Sequence, residues 1–168
     1  MIFLTVGTQG PFERLIRAVD MWCASSPARP RVFGQIASPV AGSFVPKNFE
    51  WVSRLDPDEF NTRFSAADLI ISHAGMGTII SALQAGKQIV VMPRRLHLME
   101  HRNDHQLATV KQMAGRAGLH VAADENSFAQ TAEHALSLAS GESTPQIPEF
   151  ADTGFTAALR GFILSADK

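Results

Sequence analysis

The sequence has little of several things, and each shortage excludes a class of protein. It holds one cysteine, Cys23. A lone thiol forms neither an intrachain disulfide nor a Cys-x-x-Cys zinc site, and it fits a reducing compartment. Neither sign of charge is in excess: 15 basic residues against 16 acidic ones leave a net charge of −1. A nucleic-acid binder held by bulk charge shows a basic surplus, so no nucleic acid is expected as a partner. No apolar run approaches the roughly 20 residues of a membrane-spanning helix. The opening Met1-Ile2-Phe3-Leu4-Thr5-Val6-Gly7 has no basic segment, and its apolar run is too short for a secretory signal. The expectation is a cytoplasmic protein, brought to a membrane by something else if it works there. There is no internal repeat, and 12 glycines with 9 prolines leave no room for a low-complexity chain.

What is present is enough for a core. The chain has 168 residues, 45% of them hydrophobic, with a mean hydropathy of +0.01. That length suits one domain. Buried strands are expected at residues 2–6, 31–36, 68–72 and 88–92, with shorter ones at 51–52 and 119–122. Helices are expected from Pro11 to about residue 24, from Pro57 onward, and over 78–85, 102–116, 127–138 and 153–164. Strands alternating with helices across short turns predict an α/β fold: one doubly wound, Rossmann-like domain with a mostly parallel sheet. The nucleotide-binding unit is expected over 1–140, a linker over 141–152, and an amphipathic helix with its tail over 153–168, whose apolar stripe is expected to dock on this domain's own sheet, with a partner surface as the alternative.

In such a fold, ligands sit beyond the carboxyl ends of the strands. Four turns converge there: Gly7-Thr8-Gln9-Gly10, Gln35, His73-Ala74-Gly75-Met76-Gly77-Thr78, and Pro93 through Gln106. The third is a phosphate site by its physics. Its glycines let the backbone approach a ligand, and the amides of the helix that follows lack internal partners. A plain strand-to-helix turn that needs glycine for its dihedrals is the alternative. A dinucleotide fingerprint is not expected, because Ile80 stands where the third glycine belongs. His97-Leu98-Met99-Glu100-His101 matches the inverted zincin motif in form, but that motif works only on a helix, and this segment reads as a loop. Arg94 and Arg95 either offset phosphate charge or form a solvated pair. Gln35 faces the ligand or satisfies a loop backbone.

The string Ser72 to Thr78, followed by Gly86, Pro93 and His105-Gln106, resembles the nucleotide-sugar half of GT-B glycosyltransferases, and within them the MurG-like family. Thr5-Val6-Gly7-Thr8-Gln9-x-Pro11-Phe12 and the run from Glu100 to Gln106 are similar to the donor-binding chains of split transferases. These include bacterial exopolysaccharide glucuronosyl- and galactosyltransferases, and the soluble subunit of the dolichol-linked N-acetylglucosamine transferase. The resemblance implies the C-terminal half of a GT-B enzyme and a UDP-sugar donor. The diphosphate would lie at Gly75, Met76, Gly77 and Thr78, bordered by Gly7, Thr8, Gln9 and His73. Backbone near Arg54-Leu55 would meet uracil. Glu100, His101, Asp104, His105 and Gln106 would meet the sugar. Ser81 stands where relatives carry a ribose-binding Glu.

Transfer needs a stabilised leaving diphosphate and a base for the acceptor hydroxyl. His101 is the candidate base in this chain, and a base from a partner is the alternative. No cofactor and no metal are expected. The resemblance implies a membrane-anchored partner subunit that brings a lipid-linked sugar acceptor. Self-association is expected if an apolar face stays open in isolation. Two rival readings remain: a non-catalytic nucleotide-sugar-binding activator, and a zinc metallohydrolase built on His97, Glu100 and His101.

Overall fold

The computed structural model describes residues 1–8, 10–26, 30–39, 42–141 and 144–165. Gln9, expected at the donor site, lies outside the described residues, as do parts of the expected linker and tail. Six strands form one sheet: β1 (Ile2–Thr5), β2 (Val32–Gln35), β3 (Glu50–Val52), β4 (Leu69–His73), β5 (Gln88–Met92) and β6 (Leu119–Val121). Their order is β3-β2-β1-β4-β5-β6, and every neighbouring pair is parallel. The order reverses between β1 and β4, so the loops after these two strands flank one crevice.

The helices are α1 (Glu13–Ser25), α2 (Pro57–Ala66), α3 (Met76–Gln84), α4 (His105–Met113), α5 (Glu125–Ala139) and α6 (Thr153–Ser165). Two apolar layers sandwich the sheet. One buries Leu15, Val19 and Trp22 of α1 with Phe128 and Ala132 of α5. The other buries Phe64 of α2 with Ile79 and Leu83 of α3. Leu69, Ile70 and Ile71 of β4 are fully buried, as a strand covered on both faces requires.

The boundaries differ from the sequence reading where tertiary contacts intervene. The first helix starts at Glu13 rather than Pro11, because Arg94 binds the Pro11 carbonyl at 2.8 Å and keeps it in the loop. α3 starts at Met76, two residues early, with Gly75 as its N-cap. The fourth helix begins at His105 rather than residue 102, and the loop before it holds one 3-10 turn, Leu96–Leu98. α2 follows its signals closely: the Asp56 side chain caps Glu59 N–H and Pro57 takes the first turn.

The stretch expected as a linker lies against the domain. Thr144 is buried and its hydroxyl accepts from Gln88 Nε2 at 2.8 Å. Ile147 joins the second apolar layer, and its N–H donates to Leu83 O at 3.3 Å. α6 is exposed along its whole described length, so it does not dock on this domain's own sheet.

Candidate functional site

A cleft of about 350 Å³ opens at the carboxyl ends of β1 and β4. Its walls are Thr5, Gly7 and Thr8 after β1, His73, Gly75, Gly77 and Thr78 around the start of α3, and His101, His105 and Gln106 at the start of α4. Gln35 and Phe60 close the far side.

The α3 terminus is built for an anion. Gly75 caps it without a side-chain hydrogen bond, and the first intrahelical bond runs from Ile79 N–H to Gly75 O at 3.2 Å. The amides of Met76, Gly77 and Thr78 precede that bond and lie at the positive end of the helix dipole. Met76 points its side chain to solvent, outside the cleft wall.

His73 fills the gap between the two glycine turns. A Cβ at Gly7 would fall 2.6 Å from its Cε1, and one at Gly75 would fall 2.3 Å from its Nε2. Both glycines are therefore needed for the ring to sit there, and Gly7 also has φ +77°. Ser72 Oγ lies 3.2 Å from His73 Nδ1. Burial pushes the His73 imidazole down to about 4, helped by the nearby Arg94, His101 and His105 charges and opposed by a hydrogen bond to Thr5 backbone. It is neutral at pH 7 and serves as a hydrogen-bonding wall rather than a cation.

His101 and His105 meet edge to face with ring centroids 4.5 Å apart. Gln106 is buried, and its Oε1 accepts the Arg94 N–H at 3.0 Å. Two expected sugar-binding carboxylates are engaged elsewhere. Glu100 forms a half-buried ion pair with Arg14, with Nε–Oε1 and Nη2–Oε2 both at 2.8 Å, and accepts Arg95 N–H at 2.9 Å. Asp104 accepts Leu96 N–H at 2.9 Å. Neither lines the cleft, and neither does Ser81, which is exposed on α3. Gln35 does both things open to it: it borders the cleft, and its Oε1 accepts Leu55 N–H at 2.8 Å.

Arg94 is not a phosphate ligand. It is 2% exposed, and its terminal nitrogens bind four main-chain carbonyls, those of Val6, Gly10, Pro11 and Glu100. Arg95 reaches Ala123 O at 2.7 Å. The zincin geometry is also missing. His97 sits in the 3-10 turn, Glu100 is paired with Arg14, and no group of three metal-ligating side chains comes together among the described residues.

Phe60 is a cleft residue with no polar group or motif to mark it in the sequence. It packs edge to face on Phe3, with centroids 5.3 Å apart, and also faces the cleft. Arg14 was missed altogether: its partner Glu100 is 86 positions away, and no local pattern marks such a pair.

The model of the glycosyltransferase family 28 C-terminal domain matches residues 1–144. The chain is 33% identical over 118 residues to the human UDP-N-acetylglucosamine transferase subunit ALG13, covering 67% of this chain and 10% of that protein. The mouse protein of the same name is 34% identical over 116 residues, covering 66% of this chain and 10% of that one. The chain thus spans about a tenth of the length of these curated relatives. Among solved structures, the NMR solution structure of ALG13 is similar with a TM-score of 0.56 at 18% identity, covering 94% of each chain. The glycotransferase of kitacinnamycin is similar with a TM-score of 0.58 at 18% identity, covering 83% of this chain and 35% of that one. At such identities the structural likeness shows the fold alone.

Proposed function

The chain belongs to the glycosyltransferase family 28 C-terminal domain family, and from that premise we propose that it is the donor-binding, catalytic subunit of a two-component transferase. It moves a sugar from a UDP-sugar to a lipid-linked acceptor, in exopolysaccharide synthesis. The observation that carries this reading is the cleft at the β1/β4 reversal, where a helix terminus without a side-chain cap faces a second glycine turn. A diphosphate there meets the amides of Met76, Gly77 and Thr78. These are fixed donors, and they gain strength as negative charge develops on the leaving UDP.

The donor sugar lies toward His101, His105 and Gln106. His101 takes the proton of the acceptor hydroxyl in this reading. The acceptor itself is held by a membrane-anchored partner, and α6, with Phe155, Phe162 and Ile163 exposed, is the surface offered to that partner. No described helix is long and apolar enough to cross a membrane.

A second reading, a nucleotide-sugar-binding activator without its own base, is favoured by one observation. No carboxylate lines the cleft among the described residues, because Glu100 and Asp104 are engaged elsewhere. Titration calorimetry with UDP and ADP, with and without chelator, tests the shared core of both. Selective UDP binding that survives chelator supports it. Equal binding of ADP contradicts it. Transfer from UDP-sugars to lipid acceptor by the assembled complex, lost in His101→Ala, then separates the enzyme from the activator.

A further inference from the structure

Arg94 directly follows Pro93 at the end of β5, yet its side chain is buried. A buried guanidinium is costly unless its donors are satisfied. Nη1 donates to Pro11 O at 2.8 Å and to Glu100 O at 3.2 Å, while Nη2 donates to Val6 O and Gly10 O, both at 2.9 Å. The guanidinium lies over the Phe12 ring, 4.6 Å from its centroid. The Arg94 N–H donates to Gln106 Oε1 at 3.0 Å. One residue thereby ties together the loop after β1, the loop before α4, and the first turn of α4.

The ion pair between Arg14 and Glu100 locks the same junction from outside, and Arg14 Nη2 also donates to Pro93 O at 2.9 Å. Glu100 therefore uses its carboxylate on α1 and its carbonyl on Arg94. The consequence for the cleft follows from peptide geometry. A trans peptide points its C=O and N–H in opposite directions. With the Val6 carbonyl held by Arg94, the Gly7 N–H is turned toward Thr5 Oγ1 on the cleft wall. That contact, at 3.5 Å, is too long to engage the amide strongly.

Resting on the donor reading above, we infer that Arg94 is a positioning residue for the transfer: its fork sets the loop after β1 so that the Gly7 amide faces the diphosphate across from the α3 terminus. The role needs the fork and not only the charge. Lysine keeps the charge but offers a compact ammonium, which cannot span four carbonyls from two loops.

Arg94→Lys tests this in two arms on the full chain. In the first, hydrogen exchange of the peptide covering residues 6–12 rises at least tenfold in the unliganded variant while β4 and β5 stay protected. Unchanged exchange in a cooperatively folded variant overturns the inference. In the second, calorimetry compares UDP with uridine. The UDP-to-uridine affinity ratio falls at least fivefold, because only the diphosphate uses the loop. An equal loss for both ligands marks a merely structural role and overturns the inference. If Arg94→Lys does not fold, Phe12→Leu removes the ring beneath the guanidinium and must shift both readouts in the same direction. A wild-type chain that binds no UDP overturns the donor reading instead, and the exchange arm then decides by itself whether Arg94 organises the loop.

Discussion

His73 is held between Gly7 and Gly75 at distances no side chain at either position would permit. Gly75 has an ordinary φ of −82°, so Gly75→Ala strains no backbone and acts only by pushing the ring. Gly7 backs the opposite side, so the ring can yield only into the cleft, where it crowds a ligand. We expect a loss of about 1–3 kcal/mol in stability, as for other overpacked sites, and at least tenfold weaker UDP binding, read by chemical denaturation and calorimetry. His73 also makes stability depend on pH. Its folded pKa of about 4 lies below its ordinary 6.5, so the unfolded chain binds the proton more readily. Stability contributed by neutral His73 is full above about pH 6.5 and is lost as pH falls toward 4. Between pH 7 and pH 5 the loss is about 2 kcal/mol. Urea denaturation at both pH values shows it as an excess drop in the wild type over His73→Asn; equal drops contradict it. At this scale the glycine turns were legible because their chemistry is local. The engagement of Glu100 and the burial of Arg94 were not, since both depend on partners more than 80 positions away.

Helix α3 shows how an element can be read correctly and placed two residues off. The glycines at 75 and 77 argued for a loop, yet Gly77 lies in the first turn of α3. Glycine costs little at a helix N-cap and close to it, where the helix must admit a ligand. The strands were the clearest elements, since β5 runs from Gln88 to Met92 as the apolar run from Ile89 to Met92 indicates. α6 was legible as an amphipathic helix but not in its placement, because periodicity says which face is apolar and not what covers it. The chain end divides at about residue 150. Among the described residues, truncation after residue 150 removes only exposed side chains, and unfolding free energy is expected to stay within about 0.5 kcal/mol of the full chain. Truncation after residue 140 removes the Thr144 hydroxyl from Gln88 and uncovers the Ile147 site. That cut is expected to cost about 2–3 kcal/mol. Denaturant titrations of the two truncations check both values, and equal stability would contradict the packing described for residues 144–147.

The whole molecule is organised by where strand order turns. The alternation of buried strands and helices was enough to predict a parallel doubly wound sheet. The β1/β4 reversal then brings the turns at Gly7 and Gly75 together, although 68 residues separate them in the sequence. A larger groove of about 560 Å³ lies between α1 and α5, lined by Met21, Trp22 and Ala129. It has no glycine turn in its lining, and where it reaches the first turns of α1 and α5 the carboxylates of Glu13 and Glu125 stand there, paired with Arg17 and Arg14, and disfavour an anion. Of these two concave regions, the nucleotide is assigned to the smaller. Amide chemical shifts of the isotopically labelled chain, followed during addition of UDP, decide between them. The largest shifts are expected on Gly7, Thr8, Gly75, Gly77 and Thr78, with those of α6 unmoved. Shifts concentrated along α1 and α5, or no shifts at saturating UDP, would contradict it.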